Sequence, residues 1–196
     1  MNIATDLAWH FALVGTPNSG KTALFNALTG NRQKVANYPG VTVERKSGAL
    51  KTPSGRCVTL IDLPGTYSLR ARSPDEEITR DVVLGRLQSE TPPDLIVCVA
   101  DATNLRLALR LVLELKRVGR PLLLVLNMFD IASKRGVKID VARLSADLGV
   151  LIVTSVAVRV VDVPGLALAL APGAAPPDVW TWTVWPAARS ELDPEV

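Results

Sequence analysis

Gly15-Thr16-Pro17-Asn18-Ser19-Gly20-Lys21-Thr22 has the spacing G-x-x-x-x-G-K-[ST], and those residue types suit the holding of a phosphate chain. Glycines let the main chain wrap close to an anion, so that successive N–H groups point at its oxygens. A helix beginning at Lys21, with Ala23 in its first turn, adds the partial positive charge of its N-terminus. Lys21 is placed to bridge the outer phosphates and the Thr22 hydroxyl to ligate Mg²⁺. A glycine turn with a surface lysine is the plain alternative, and other stretches of the chain decide against it.

Asp62-Leu63-Pro64-Gly65 ends a predicted strand and fits D-x-x-G. A carboxylate there can hold the Mg²⁺ shell opposite Thr22, and Gly65 can offer its bare N–H to a γ-phosphate. Asn127-Met128-Phe129-Asp130 follows an apolar run and fits N-x-x-D. The Asp130 carboxylate can accept both the ring N–H and the exocyclic amine of guanine, a donor pair that adenine lacks. Buried polar groups of this kind reject the wrong base because they would be left unpaired. Asn127 is placed to fasten this loop to the P-loop, and Met128 fills a slot where lysine is usual. A capping Asn/Asp pair is the alternative.

Thr154-Ser155-Val156-Ala157 follows the last strand. Ser155, Val156 and Ala157 either meet guanine O6 by backbone N–H or form an ordinary small-residue loop. Arg159 either covers the base with its stem or is a surface arginine. Thr42, preceded by Gly40 and Val41 in a long polar loop, is the hydroxyl placed to reach Mg²⁺ and the γ-phosphate. The loop would then order on the third phosphate, as a switch does. The alternative is a threonine that merely starts a strand.

The elements that must carry these groups alternate as apolar runs and helix-like segments, the pattern of an α/β domain. Strands are predicted at 9–14, 43–51, 56–62, 94–100, 122–126 and 150–154, and helices at 21–29, 75–87, 105–117, 140–148 and 163–171. Six strands and about five helices result, in a mostly parallel sheet. Residues 31–42 read as a loop. The turn Thr52-Pro53-Ser54-Gly55 makes a hairpin of the second and third strands, which places one antiparallel edge strand on the sheet. Ser73 and Glu76 have capping-box spacing at the head of the second helix. Residues 1–171 read as one domain. The Pro/Trp-rich remainder, 172–196, holds Trp180, Trp182 and Trp185, and reads as an edge strand, a partner patch or a tail folded back.

The chain is 48% hydrophobic over 196 residues, enough for a real core, and its net charge is +3. Acidic and basic residues are mixed, with no basic block of the kind that grips nucleic acid. Cys57 and Cys98 fall in predicted strands, as buried hydrophobes in a reducing compartment. His10, the single histidine, reads as packed or solvated rather than as a ligand. No apolar run reaches transmembrane length, and no signal peptide is evident. The chain is expected to be soluble and cytosolic-facing.

Taken together, Asn37-Tyr38-Pro39-Gly40-Val41-Thr42-Val43-Glu44, Asp62-Leu63-Pro64-Gly65-Thr66-Tyr67-Ser68-Leu69 and Ser73-Pro74-Asp75-Glu76-Glu77 resemble the N-terminal GTPase domain of the ferrous iron transport protein B family, over about residues 8–170. The resemblance implies a Ras-like P-loop fold, GTP and GDP as ligands, Mg²⁺, and slow hydrolysis. It places the domain on the cytoplasmic face of the inner membrane, as the head of an Fe²⁺ transporter whose membrane-embedded iron-permeation domain is its partner. Self-association through the switch loops is a further partner reading. The family uses K⁺ to speed hydrolysis: the P-loop asparagine matches Asn18, and the switch-loop carbonyls map to Ala36 and Tyr38. Ala36 stands where some members have glycine. Asn18, Lys21, Thr42 and Gly65 are thus the catalytic set. Met128 is normal in the family. In Ras-like enzymes a glutamine after D-x-x-G orients the attacking water; here that place is Thr66, so unaided hydrolysis should be slow. The helical domain that follows in the family is not evident in 172–196.

Two other readings remain at this stage. One is a soluble GTPase of ribosome or tRNA maturation, although the RNA-binding domain that would mark it is missing. The other is a switch that binds GTP without hydrolysing it and docks a partner, which Thr66 permits.

Overall fold

The computed structural model describes residues 9–30, 33–51 and 57–155. Val156, Ala157, Arg159, the 163–171 helix, the 52–55 turn and the tryptophans of the tail lie outside the described residues.

A sheet of seven strands forms the centre, in the order β2-β3-β4-β1-β5-β6-β7. Its strands are β1 (Trp9–Gly15), β2 (Gln33–Asn37), β3 (Glu44–Lys51), β4 (Cys57–Asp62), β5 (Leu95–Asp101), β6 (Leu122–Asn127) and β7 (Leu151–Thr154). β1 pairs in parallel with both β4 and β5, and the parallel pairing continues through β6 to β7. β3 runs against both of its neighbours.

Strict alternation along β1 divides the core between the two faces of the sheet. Phe11 and Leu13 pack with Leu24 and Phe25 of α1 (Lys21–Thr29). Ala12 and Val14 face the opposite cluster, which takes in Ile78, Val82 and Val83 of α2 (Pro74–Leu84) and Leu111, Val112 and Leu115 of α3 (Leu105–Lys116). In α3 the buried positions Ala108, Leu111, Val112 and Leu115 follow helical spacing, i, i+3, i+4, i+7. Two shorter helices, α4 (Phe129–Lys134) and α5 (Val141–Leu148), complete the described α-helices. α1 and α2 therefore lie on opposite faces of a sheet whose centre is β1. The crevice beyond the C-terminal ends of such strands is where open α/β sheets take ligands.

Four expectations are corrected. The 31–42 loop contains β2, so the described residues hold seven strands rather than six, and β2 lies outside β3 as the edge. All five residues of β2 are exposed; no apolar alternation marks it, because it buries no face. α4 had no counterpart in the sequence reading, since six residues are too few to show a helical period. Cys57 is exposed, not buried: it opens β4 at the end where burial begins only with Val58. Cys98, at the centre of the sheet, is buried, and that burial pushes its thiol up to about 12. The capping box at α2 is displaced by one residue. Ser73 Oγ accepts the Glu76 N–H at 3.4 Å, but the Glu76 carboxylate takes the Arg72 N–H at 2.8 Å and not that of Ser73. The other Glu76 oxygen is engaged by the Thr66 hydroxyl at 3.2 Å, which draws the carboxylate toward the preceding loop.

Candidate functional site

The P-loop leaves β1 at Gly15, whose register partner is Val99 of β5. A Cβ on Gly15 would run into the Val99 carbonyl, so only glycine fits where the loop turns away from the sheet. Ser19 N–H donates to the Thr16 carbonyl at 3.2 Å, and Asn18 and Gly20 are left-handed, with φ of 62° and 81°. Asn18 and Pro17 are exposed, whereas Thr16 and Ser19 are buried. Gly20 caps α1 without a side-chain bond, which leaves the first-turn amides, including that of Ala23, as donors toward the loop.

Lys21 and Thr22 stand in the first turn of α1, and both reach the same carboxylate. Lys21 Nζ forms an ion pair with Asp62 Oδ1, and Thr22 Oγ1 donates to Asp62 Oδ2 at 3.1 Å. Asp62 is buried at the C-terminal end of β4, opposite Leu13 of β1. Beyond it the loop is stitched to β1: Leu63 N–H donates to Leu13 O at 3.1 Å and Thr66 N–H to Gly15 O at 3.0 Å. Gly65 lies against the P-loop, where a Cβ would come 3.2 Å from Pro17 Cα.

The N-x-x-D loop is joined to the P-loop. Asn127 ends β6 fully buried, and its Nδ2 donates to the Ser19 carbonyl at 2.9 Å. Met128 follows in the left-handed region, φ 57°, and caps α4. Asp130 lies in the first turn of α4, half-buried, 3.8 Å from Lys134 Nζ. Ser155, buried, donates its N–H to Leu126 O at 2.8 Å and accepts the Phe129 N–H at 3.5 Å, so the loops after β6 and β7 are adjacent.

The remaining candidates are arranged otherwise. Ala36 pairs with Arg45 within the β2–β3 ladder. The Tyr38 carbonyl accepts the Val41 N–H at 3.2 Å, and the Tyr38 N–H donates to Val43 O at 3.0 Å. Both carbonyls mapped for K⁺ thus belong to the hairpin. The Tyr38 ring is buried and its hydroxyl has no partner among the described residues; burial first, then the nearby Glu90, pushes its pKa up. Gly40 is left-handed, and Gly40, Val41 and Thr42 are all exposed. Thr66 is buried, and its hydroxyl donates to Ser68 O at 2.7 Å as well as meeting Glu76.

Two groups holding the loop between β4 and α2 escaped the sequence reading. Glu114 of α3 accepts the Leu69 N–H at 2.6 Å and the Ser68 hydroxyl at 3.0 Å. Thr79 of α2, fully buried, donates to Pro64 O at 2.9 Å. Glu114 carried no signal, being one charge on an amphipathic helix. Thr79 carried a weak one, a β-branched residue inside a helix. No group of three or more His, Cys, Asp or Glu side chains among the described residues could hold a metal ion, and no described helix is long and apolar enough to cross a membrane.

The model of the family described as ferrous iron transport protein B matches residues 9–169. The chain belongs to that family. It is 45% identical over 158 residues to the Fe(2+) transporter FeoB of Escherichia coli K12, and 47% identical to that of Salmonella typhimurium. Each alignment takes in 81% of this chain and 20% of the relative, so the chain spans about a fifth of the length of those FeoB proteins. The fold is similar to the cytosolic domain of T. maritima FeoB in its GMPPNP form, with a TM-score of 0.75 at 38% identity, covering 91% of this chain and 67% of that one. An S. thermophilus NFeoB mutant bound to mGDP gives 0.73 at 42% identity, covering 82% and 60%. The architecture is therefore that of the Ras-like FeoB G domain.

Proposed function

We propose that the domain binds guanine nucleotides and slowly hydrolyses GTP to GDP, with K⁺ stimulation. In this reading residues 1–171 are the G domain, residues 172–196 its tail, and the whole is the cytoplasmic regulatory part of a prokaryotic inner-membrane Fe²⁺ transporter. The observation that carries the reading is the meeting of Lys21 and Thr22 on Asp62 beneath the P-loop. The tie from Asn127 to Ser19 supports a single site with a phosphate side and a base side. The nucleotides bound by the FeoB relatives agree with it.

In this mechanism the P-loop amides and Lys21 hold the phosphates, while Gly65 offers its N–H to the terminal one. Asp130 selects guanine, with Ser155, Val156 and Ala157 beside the base. Oxygen donors suit a hard cation, and the Thr22 hydroxyl beside the Asp62 carboxylate fits Mg²⁺, with Thr42 joining if its loop folds inward. Mg²⁺ would offset phosphate charge there. The K⁺ donors fit less well. Asn18 stands exposed on the P-loop, but the Ala36 and Tyr38 segment is committed to the hairpin, and K⁺ binding asks that segment to let go.

The test is GTP turnover in K⁺ and in Na⁺, for wild type and Asn18→Ala. Acceleration by K⁺ that disappears in the variant is the expected result. Equal, negligible turnover in both salts would move the assignment to the second reading, a GTP-binding docking switch. That reading draws on Thr66, whose hydroxyl is spent on Ser68 and Glu76. The ribosome or tRNA alternative has no support once the family is known.

A further inference from the structure

The donors of the D-x-x-G loop can be accounted for one by one. Leu63 N–H goes to Leu13 O and Thr66 N–H to Gly15 O. Pro64 has no N–H. Gly65 N–H is left, and no acceptor among the described residues meets it. What fixes its direction is the other end of its own peptide unit, the Pro64 carbonyl, which accepts the Thr79 hydroxyl at 2.9 Å.

A trans peptide is planar, and its C=O and N–H point in opposite directions; no described peptide bond is cis. Drawing the Pro64 oxygen toward α2 therefore turns the Gly65 N–H away from α2. Thr79 is fully buried. A threonine inside a helix commonly turns its hydroxyl back on the carbonyl four residues earlier. Thr79 instead spends it on another segment, 15 residues away in sequence.

We propose that Thr79 is a positioning residue: its hydroxyl sets the plane of the Pro64–Gly65 peptide and so presents the Gly65 N–H to the terminal phosphate of the nucleotide. The preference between triphosphate and diphosphate then depends on a side chain of α2. This rests on the nucleotide reading above.

The test uses the full chain with Mg²⁺, and titration calorimetry with GDP and with GMPPNP, for wild type, Thr79→Val and Thr79→Ser. Valine keeps the shape and removes the donor; serine keeps the donor. The expected result is that Thr79→Val weakens GMPPNP roughly three- to tenfold, the worth of one buried hydrogen bond, and leaves GDP unchanged, while Thr79→Ser keeps the wild-type ratio. In parallel, the Gly65 amide resonance should shift in Thr79→Val and hold in Thr79→Ser. If Thr79→Val fails to fold, Thr79→Ala asks the same question. A wild-type ratio in the donorless variant, or equal weakening of both nucleotides, would overturn the role of Thr79 alone. A wild type that binds neither nucleotide would overturn the nucleotide reading and this inference together, before any variant is compared.

Discussion

Glu114 of α3 accepts the Leu69 N–H at 2.6 Å, tying the loop after Gly65 to a helix 45 residues away. Burial alone would raise the Glu114 pKa, but the bonds from Leu69, Ser68 and Arg110 outweigh it and hold the carboxyl below its ordinary value. A carboxyl lowered on folding stabilises the native state above its unfolded pKa, and that contribution is lost as pH falls through the folded value. Glu114→Gln should cost about 1–3 kcal/mol near neutrality. The cost should fade as the pH falls through the wild-type carboxyl's depressed folded value, where it too protonates. Urea midpoints of both proteins near neutrality and in acid check this; a pH-independent difference would remove charge from the account.

Asn127 and Gly20 are fitted to one another. A Cβ on Gly20 would collide with Asn127 Nδ2, and Gly20 itself sits at φ 81°. Asn127→Ala should leave the buried Ser19 carbonyl without its donor, at about 1–3 kcal/mol, and weaken nucleotide binding. Gly20→Ala should destabilise through both strain and contact, by about 1–2 kcal/mol for the left-handed backbone alone. Because the two share one contact, the double variant should cost less than the sum. Additive losses in denaturant melts would mean that the contact is not shared.

Arg45 of β3 grips Glu90 with two nitrogens, Nη2 to Oε2 at 3.0 Å, and its Nη1 reaches Ser47 Oγ at 3.0 Å. The Glu90 side chain is 6% exposed. Arg45→Met should then cost about 3–5 kcal/mol, because it strands a buried charge. Adding Glu90→Gln should recover part of that loss. If the single variant melts like wild type, the pair contributes little to holding the β2–β3 hairpin in place.

Asp130 offers its carboxylate from the first turn of α4, half-buried beside Met128. Asp130→Asn exchanges one acceptor oxygen for a donor, so guanine should lose about a hundredfold in affinity while xanthine nucleotides gain. Competition between GTP and xanthosine triphosphate measures the ratio. An unchanged preference for guanine would place base recognition elsewhere.

Features written in consecutive residues were legible without coordinates. Gly15 to Thr22 fold as a strand end, a loop and a helix start because local backbone freedom and local donors decide that geometry. The α3 stripe was readable because one element's own period reports which side is buried, and β1 was readable as a short, wholly apolar run of a buried strand; which of its residues face which cluster was not. The Ser73 cap was readable too, but its carboxylate partner was not, because Thr66 competes for Glu76.

Only the tertiary structure could decide which groups meet across the chain. β2 exists because Gln33–Asn37 finds β3 to pair with, and an edge strand that buries nothing leaves no mark on composition. Asp62 meeting Lys21, Glu114 meeting Leu69 and Thr79 meeting Pro64 all depend on strand register and on how a helix crosses the sheet. Those relations are set by packing of the whole core, and spacing within any one segment does not contain them.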